Sequence, residues 1–423
     1  MDGLTRRGAV GMIAGSMAFP SLARAGAKSA RVVLVGAGFG GAAAAQELLR
    51  LDPRLDITII EPRDRCVTCP YSNMVLAGWR DMASISVSFQ GLLGRKRVRH
   101  IRDAAVDIDP EKRRVRLYSG KSVPYDRLIV ASGIGMRFDA ISYYNETATS
   151  LLPHGYLPGP QTVLLRNQLE AMEDGGSVLI CPPKLPYRCP PSPYERASLI
   201  ADYLKREKPR SKIVILDAKE QFPMQELFRE AWDELYPGMI EWRSGKAGEV
   251  VAAYPDDLAV ETASGERLTG DVVNVIPPQR AGSMTAKAGL SDATGWCPVD
   301  ARTLESALMP DVHIVGDSML GGDVPKTAVV ACDLGELAAR AVVAALGGQA
   351  APREERVRSV CYAHAGRSWA MASGKTFLAS AAGFIEESAK ARISKAGDRD
   401  ARRRDSAEAD AQYNGPLRAM FAA

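Results

Sequence analysis

The chain has 423 residues, 46% of them apolar, and carries 54 Lys and Arg against 50 Asp and Glu for a net charge of +4. That length exceeds one ordinary domain and predicts two or three compact units with substantial cores, which excludes wholesale disorder. Near-balanced charge, few aromatics and no nucleic-acid-reading motif exclude DNA or RNA as partner.

Residues 1–25 read as a targeting leader rather than as fold. Thr5-Arg6-Arg7 precedes an uncharged stretch from Gly8 to Leu22, and Ala23-Arg24-Ala25 supplies small residues for cleavage. The paired arginines predict twin-arginine export and a periplasmic mature chain; an ordinary secretory signal, or a cytosolic N-terminus with two arginines by chance, are the other readings. The apolar run is short and Gly-rich, and no later stretch approaches the roughly 18 apolar residues of a spanning helix, so no transmembrane segment is expected.

A buried strand, Arg31 to Val35, opens the mature chain. Gly36-Ala37-Gly38-Phe39-Gly40-Gly41 follows, and Ala42 to Leu49 reads as a helix. Gly36, Gly38 and Gly41 match the dinucleotide fingerprint: a tight turn, close approach of backbone to pyrophosphate, and close packing of helix on strand. Phosphate would sit on the free N–H groups at the helix start. The next strand, Ile57 to Ile60, ends at Glu61, twenty residues after Gly41, where a carboxylate can accept the ribose hydroxyls of an adenosine. Strand, glycine turn, helix and acid in this order are a specific signal; the glycines alone are not.

Tyr125 to Gly133 is a strand running into a small-residue turn, and Val312 to Val315 is a strand ending in Gly316-Asp317. In two-domain flavoproteins such segments complete the fold around FAD, with the acid facing ribityl or phosphate. Asp317 also reads as an ordinary turn residue or helix cap. Between them lies a second α/β unit, with a strand at Gly176 to Ile180, a helix from Pro193 to Arg206 and a strand at Lys212 to Asp217. Its turn, Cys181 to Pro191, holds no glycine and has prolines at 182, 183, 186, 190 and 191. Proline removes the N–H donors that a pyrophosphate needs. NADH binding there is not expected, so electrons must enter from another donor.

Cys189 is the candidate entry point. It precedes Ser192-Pro193-Tyr194-Glu195, which reads as an N-cap Ser, a first-position Pro and a capping-box Glu. A thiolate near a helix N-terminus is stabilised and reactive, although a buried structural cysteine is the commoner fate.

Several segments then point one way. Cys189-Pro190-Pro191 with Pro193 to Ser198, Val275 to Gly282, Gly295 to Asp300, Thr68-Cys69 with Ser72-Asn73, and Cys361-Tyr362 resemble the flavoprotein subunit of flavocytochrome c sulfide dehydrogenase from about Arg31 to Tyr362. The resemblance implies an α/β fold with two dinucleotide-binding (Rossmann-like) domains of the glutathione-reductase type plus a C-terminal α+β interface domain. The expected boundaries are 1–25 for the leader, 26–145 and 271–346 for the FAD-binding domain, 146–270 for a degenerate NADH-type domain, and 347–423 for the interface domain. It further implies FAD bonded covalently to Cys69, a redox-active disulfide between Cys189 and Cys361, and Glu195 as a proton carrier. Sulfide would be the substrate and a separate c-type cytochrome subunit the acceptor, since no CxxCH occurs in this chain.

Alternatives remain open at this level. Cys66 and Cys69 form a CxxC; Cys181 is a competing partner for Cys189; Cys297 and Cys332 read as packed thiols. Glu195 serves equally well as a capping acid. The four histidines show no metal-ligand spacing, so no metal is expected. Residues 386–410 read as a solvated helix or loose extension, and Gln412 before Tyr413-Asn414 departs from the aromatic usual at that place. Two other functions fit the same scaffold. A sulfide:quinone oxidoreductase would need a membrane-docking amphipathic helix, and an accessory flavoprotein would bind and reactivate a sulfur-oxidising complex.

Overall fold

The structure is a computed structural model that describes residues 29–95, 97–350, 354–388 and 392–421. The expected leader lies outside the described residues.

The first unit begins with β1 (Arg31–Val35), α1 (Phe39–Leu51), β2 (Asp56–Ile60), β3 (Val98–Ile101) and β4 (Arg127–Val130). The second contains β5 (Ser177–Cys181), α2 (Ser192–Glu207), β6 (Lys212–Leu216), β7 (Ile240–Arg243) and β8 (Val272–Val275). The chain then returns to the first unit through β9 (Val312–Ile314) and α3 (Ala328–Leu346). It ends in a hairpin of β10 (Glu355–Gly366) and β11 (Trp369–Ser380), with α4 (Arg399–Gln412) packed on β11.

The first sheet runs β9-β4-β1-β2-β3 and the second β7-β6-β5-β8, all parallel. Their strands are near-continuous apolar runs because helices or loops cover both faces, and Val32, Leu34, Ile57 and Ile59 are fully buried. The α/β fold with two Rossmann-like units and a C-terminal α+β region is as expected. The sheet order also explains why β9 lies so late in the chain: it pairs with β4 and completes the first unit only after the second has been inserted.

The C-terminal segment, expected as a solvated helix or a loose extension, contains a helix, but one with a docked face. Arg402 on α4 is buried, donating to the Glu230 carboxylate at 3.1 Å and to the Lys395 carbonyl at 2.7 Å. Charge density in this helix therefore conceals a docked face. Paired guanidinium and carboxylate groups let it pack where composition alone suggests solvent.

Candidate functional site

Four segments that leave parallel strands of the first sheet converge on one cavity of about 1050 Å³. This is where an open α/β sheet binds ligands. Gly36 leaves β1 with φ +94°, and a Cβ there would meet the Ala131 carbonyl oxygen at 2.6 Å. Gly38 caps α1 and faces open space. Gly41 does not line the cavity; it lies behind the turn, where a Cβ would meet the Gly36 carbonyl oxygen at 2.0 Å. That contact is the close helix-on-strand packing expected of the third glycine.

Glu61, only 2% exposed, lines the cavity where β2 ends. Its carboxylate accepts from the Ala37 N–H at 3.1 Å and from the Arg63 Nε at 2.8 Å. Burial pushes the carboxyl up, but the Arg63 guanidinium and these N–H donors prevail and hold it below the usual range. Asp317 lies just past β9 and receives the Arg188 Nε at 2.6 Å. The same guanidinium donates through Nη1 to the Cys69 sulfur at 3.0 Å.

Cys189 and Cys361 reach the cavity from different units, one ahead of α2 and the other from β10, and both line it. The structure carries them as free thiols. Burial pushes Cys189 well above its ordinary value, with Cys361 and Glu195 adding to the effect; burial pushes Cys361 up to about 11. The helix N-terminus does not make Cys189 acidic, as its place in the sequence suggests, because desolvation outweighs it.

The helix start is also different from the expected one. Pro191 is the N-cap, Ser192 is already helical, and no side chain caps the end. Glu195 is therefore not a capping-box acid. Its carboxylate turns to the cavity, accepting from Asn73 Nδ2 at 2.8 Å and from the His364 backbone N–H at 3.0 Å. The His364 Nδ1 lies 3.7 Å from the same carboxylate, buried and with no hydrogen-bond partner among the described residues.

Cys181, Cys297 and Cys332 lie away from the cavity, and Cys66 lies at its edge. Cys181 packs with Leu152, Val275 and their neighbours in the core of the second unit. Cys297 and Cys332 are buried. Cys66 lies in the first core at the cavity edge, where burial pushes its thiol up to about 12.

Arg188, Asn73, His364 and Tyr413 belong to the site but were not assigned roles from sequence. Tyr413 shares a hydrogen bond of 2.8 Å with Thr68 Oγ1, beside Cys69, and is buried. Arg188 was legible in principle, since it adjoins Cys189 in a loop too rich in proline for a nucleotide site.

Residues 162–277 match the family described as "Sulfide dehydrogenase [flavocytochrome c] flavoprotein chain, central", and residues 30–147 match "Pyridine nucleotide-disulphide oxidoreductase". A 45-residue stretch is 56% identical to the sulfide dehydrogenase [flavocytochrome c] flavoprotein chain of Chlorobaculum thiosulfatiphilum, covering 11% of this chain and 94% of that sequence. The chain belongs to the sulfide-oxidising flavoproteins. Within that family, the mitochondrial sulfide:quinone oxidoreductase of Mus musculus is 25% identical over 68% of this chain and 65% of its own length. The sulfide-quinone reductase of Aquifex aeolicus is 37% identical over 28% of each. The matched stretches thus span under two thirds of both reductases. In fold, the sulfide:quinone oxidoreductase structure from Aquifex aeolicus superposes with a TM-score of 0.74 at 19% identity, over 93% of this chain and 92% of that one.

Proposed function

We propose that this flavoprotein oxidises sulfide through a Cys189–Cys361 disulfide set against FAD. The observation that carries the reading is that these two sulfurs, from distant parts of the chain, line the same cavity as the dinucleotide turn, Glu61 and Cys69. The residues present fit FAD: the turn leaves Gly38 facing open space, Glu61 is an acid held below the usual range that would take the ribose hydroxyls, and Asp317 and Cys69 line the same cavity. Cys69 is the residue we assign to covalent attachment.

Hydrosulfide attacks one sulfur of the pair. The S–S bond between Cys189 and Cys361 breaks, a new S–S bond forms to the incoming sulfur, and the other cysteine leaves as a thiolate. Bound FAD supplies the two-electron sink that this chemistry requires. Glu195 is placed to take the proton from the incoming hydrosulfide, and Asn73 and the His364 N–H hold its carboxylate in position.

Two acceptors are open to the reading, and the comparisons lean toward one. The longer matches are to quinone oxidoreductases, which favours a quinone over the c-type cytochrome subunit expected from the motifs. The family matched by residues 162–277 and the polar character of α4 favour the haem protein; no helix among the described residues is long and apolar enough to cross a membrane. Export to the periplasm belongs to the same reading, on the strength of the Thr5-Arg6-Arg7 leader. Recovery of the chain in the periplasmic fraction, cut after Ala25, tests it.

The decisive experiment is anaerobic addition of sulfide to the purified flavoprotein. Sulfide is expected to bleach the flavin, and Cys189→Ser and Cys361→Ser are each expected to abolish bleaching. Persistence of bleaching in both variants overturns the reading. Parallel assays with a soluble quinone analogue and with cytochrome c then assign the acceptor.

A further inference from the structure

The loop from Cys181 to Pro191 replaces a nucleotide-binding turn, yet it delivers two consecutive side chains into the cavity of the other unit. Its backbone is pinned on both sides of that delivery. The Arg188 N–H donates to Gln279 Oε1 at 2.8 Å, and the Cys189 N–H donates to the Lys326 carbonyl at 2.8 Å. The Tyr156 hydroxyl lies 2.8 Å from the Arg188 carbonyl and 3.2 Å from that of Cys189. Cys189 itself takes φ +50°, the left-handed turn that a non-glycine residue adopts only when its surroundings impose it. Arg188 is therefore held as firmly as the redox cysteine beside it.

What Arg188 touches is specific. Nε is on the Asp317 carboxylate at 2.6 Å and Nη1 on the Cys69 sulfur at 3.0 Å. An Arg placed only to neutralise Asp317 would need no second acceptor, and a guanidinium N–H aimed at sulfur favours the thiolate over the thiol. We propose that Arg188, locked in orientation by Asp317, is a positioning residue that aims the Cys69 sulfur at the cavity and eases its passage from thiol to thiolate. The step is proton loss alone: the S–H bond breaks, the proton passes to solvent, and no electron changes hands.

The groups facing Cys69 set the balance. Burial outweighs the rest and leaves the thiol above its ordinary value; Arg188 opposes that, Asp317 reinforces it, and Arg63 opposes it again. Cys66 and Cys189 are the neighbouring thiols, each raised further by Cys69. Arg63 reaches this sulfur only through its charge and pairs with Glu61; Arg188, whose Nη1 is hydrogen-bonded to it, is the cation that most opposes burial there.

The inference leans on the proposed function only for its ligand, because its test involves no sulfide. The full chain, purified from riboflavin-limited cells, is treated with iodoacetamide across a pH series, and alkylation of Cys69 is read by peptide mass. Arg188→Gln is expected to move the Cys69 alkylation curve upward by about one to three pH units. Arg188→Lys, which keeps the charge, is expected to recover most of that shift. Asp317→Asn, whose amide oxygen still accepts from Arg188 Nε while the competing charge is gone, is expected to move the curve downward and serves if Arg188→Gln does not fold. In a second readout, Arg188→Gln incubated with FAD retains at least tenfold less flavin fluorescence on a denaturing gel than the unsubstituted chain. An unmoved curve in Arg188→Gln, a curve in Arg188→Lys displaced as far as in Arg188→Gln, or an upward shift in Asp317→Asn overturns the proposal. None of these outcomes depends on whether sulfide bleaches the flavin.

Discussion

The two parallel sheets of this chain begin alike and end in opposite ways. In the first, β1 turns through glycines into α1, and the acid after β2 lines a large cavity. In the second, β5 runs into prolines, and the acid after β6, Asp217, is fully buried. Asp217 accepts from the Tyr194 hydroxyl, from Trp242 Nε1 at 3.1 Å and from Lys219 Nζ at 2.6 Å. Tyr194 stacks on Phe222 with ring centroids 3.8 Å apart. The place where a second nucleotide would lie is filled by side chains that satisfy one another. One dinucleotide scaffold thus serves two ends: an open cavity in one copy and, in the other, a rigid base from which a loop projects Arg188 and Cys189 into that cavity.

The largest expected effect comes from unmaking the filled half. Asp217→Ala strips the Tyr194 hydroxyl, Trp242 Nε1 and the Lys219 N–H and ammonium of their shared buried acceptor. It should cost about 3–5 kcal/mol in urea unfolding, while the folded fraction keeps its flavin. Restoring glycine at Pro182 and Pro183 should not create an NADH site, because Tyr194 and Lys219 remain in place. Tight NADH binding by that double variant, measured by fluorescence titration, would break the comparison between the units.

The joint between the units is expected to be the next most sensitive element, and it responds to pH. His154 lines the cavity with its Nδ1 accepting from the Tyr156 N–H at 3.0 Å. Burial, and then the neighbouring Arg196, push its imidazole down to about 4. The unfolded chain binds a proton below its ordinary value of about 6.5, whereas the folded chain does not until pH reaches about 4. Stability should therefore fall as pH drops from about 6.5 to about 4, by roughly 3 kcal/mol from this residue. His154→Gln should flatten that part of the profile, as read by urea midpoints at several pH values. An unchanged acid limb would place the sensitivity elsewhere.

Much of this arrangement was readable from sequence, and the parts that were not share a cause. Both glycine and proline turns announce themselves because they act on their own backbone, and so do the apolar runs of β1 and β5. Cys69, Cys189, Glu195 and Cys361 were identified by motif, and all four line one cavity. The helix start at Ser192 misled because its pattern satisfies the rules for a capping box, yet tertiary contacts with Asn73 and His364 draw Glu195 away. His364 carried no local signal at all. Its relevance comes from β10 crossing behind α2, a contact between residues far apart in the chain. The docking of Arg402 was hidden for the same reason.

The open half can be tested at its tightest point. Gly41→Ala adds a methyl that would meet the Gly36 carbonyl oxygen at 2.0 Å. Helix α1 must move away from β1, at about 1–3 kcal/mol, and the turn that would cradle phosphate moves with it. A lower ratio of flavin to protein absorbance is expected, beyond what the stability loss explains. Should flavin content hold, the third glycine would be a packing residue only.

The smallest effect concerns the wall that closes the open half. Tyr413, brought back at the end of α4, shares its hydroxyl with Thr68 Oγ1 at 2.8 Å, while Thr68 also reaches the Ile85 carbonyl at 3.1 Å. Tyr413→Phe keeps the ring and its contact with Tyr71, 4.2 Å between centroids, and removes one hydrogen bond. Because Thr68 retains another acceptor, no buried donor is stranded, and the loss should be about 0.5–1.5 kcal/mol. The second unit should not register the change, since neither residue touches Asp217 or its partners. If, however, flavin retention on a denaturing gel falls while stability barely moves, then Tyr413 does more than seal the cavity. It would fix Thr68, and through the adjoining peptide Cys69, so that the C-terminal helix of the chain sets the geometry of a cysteine near its beginning.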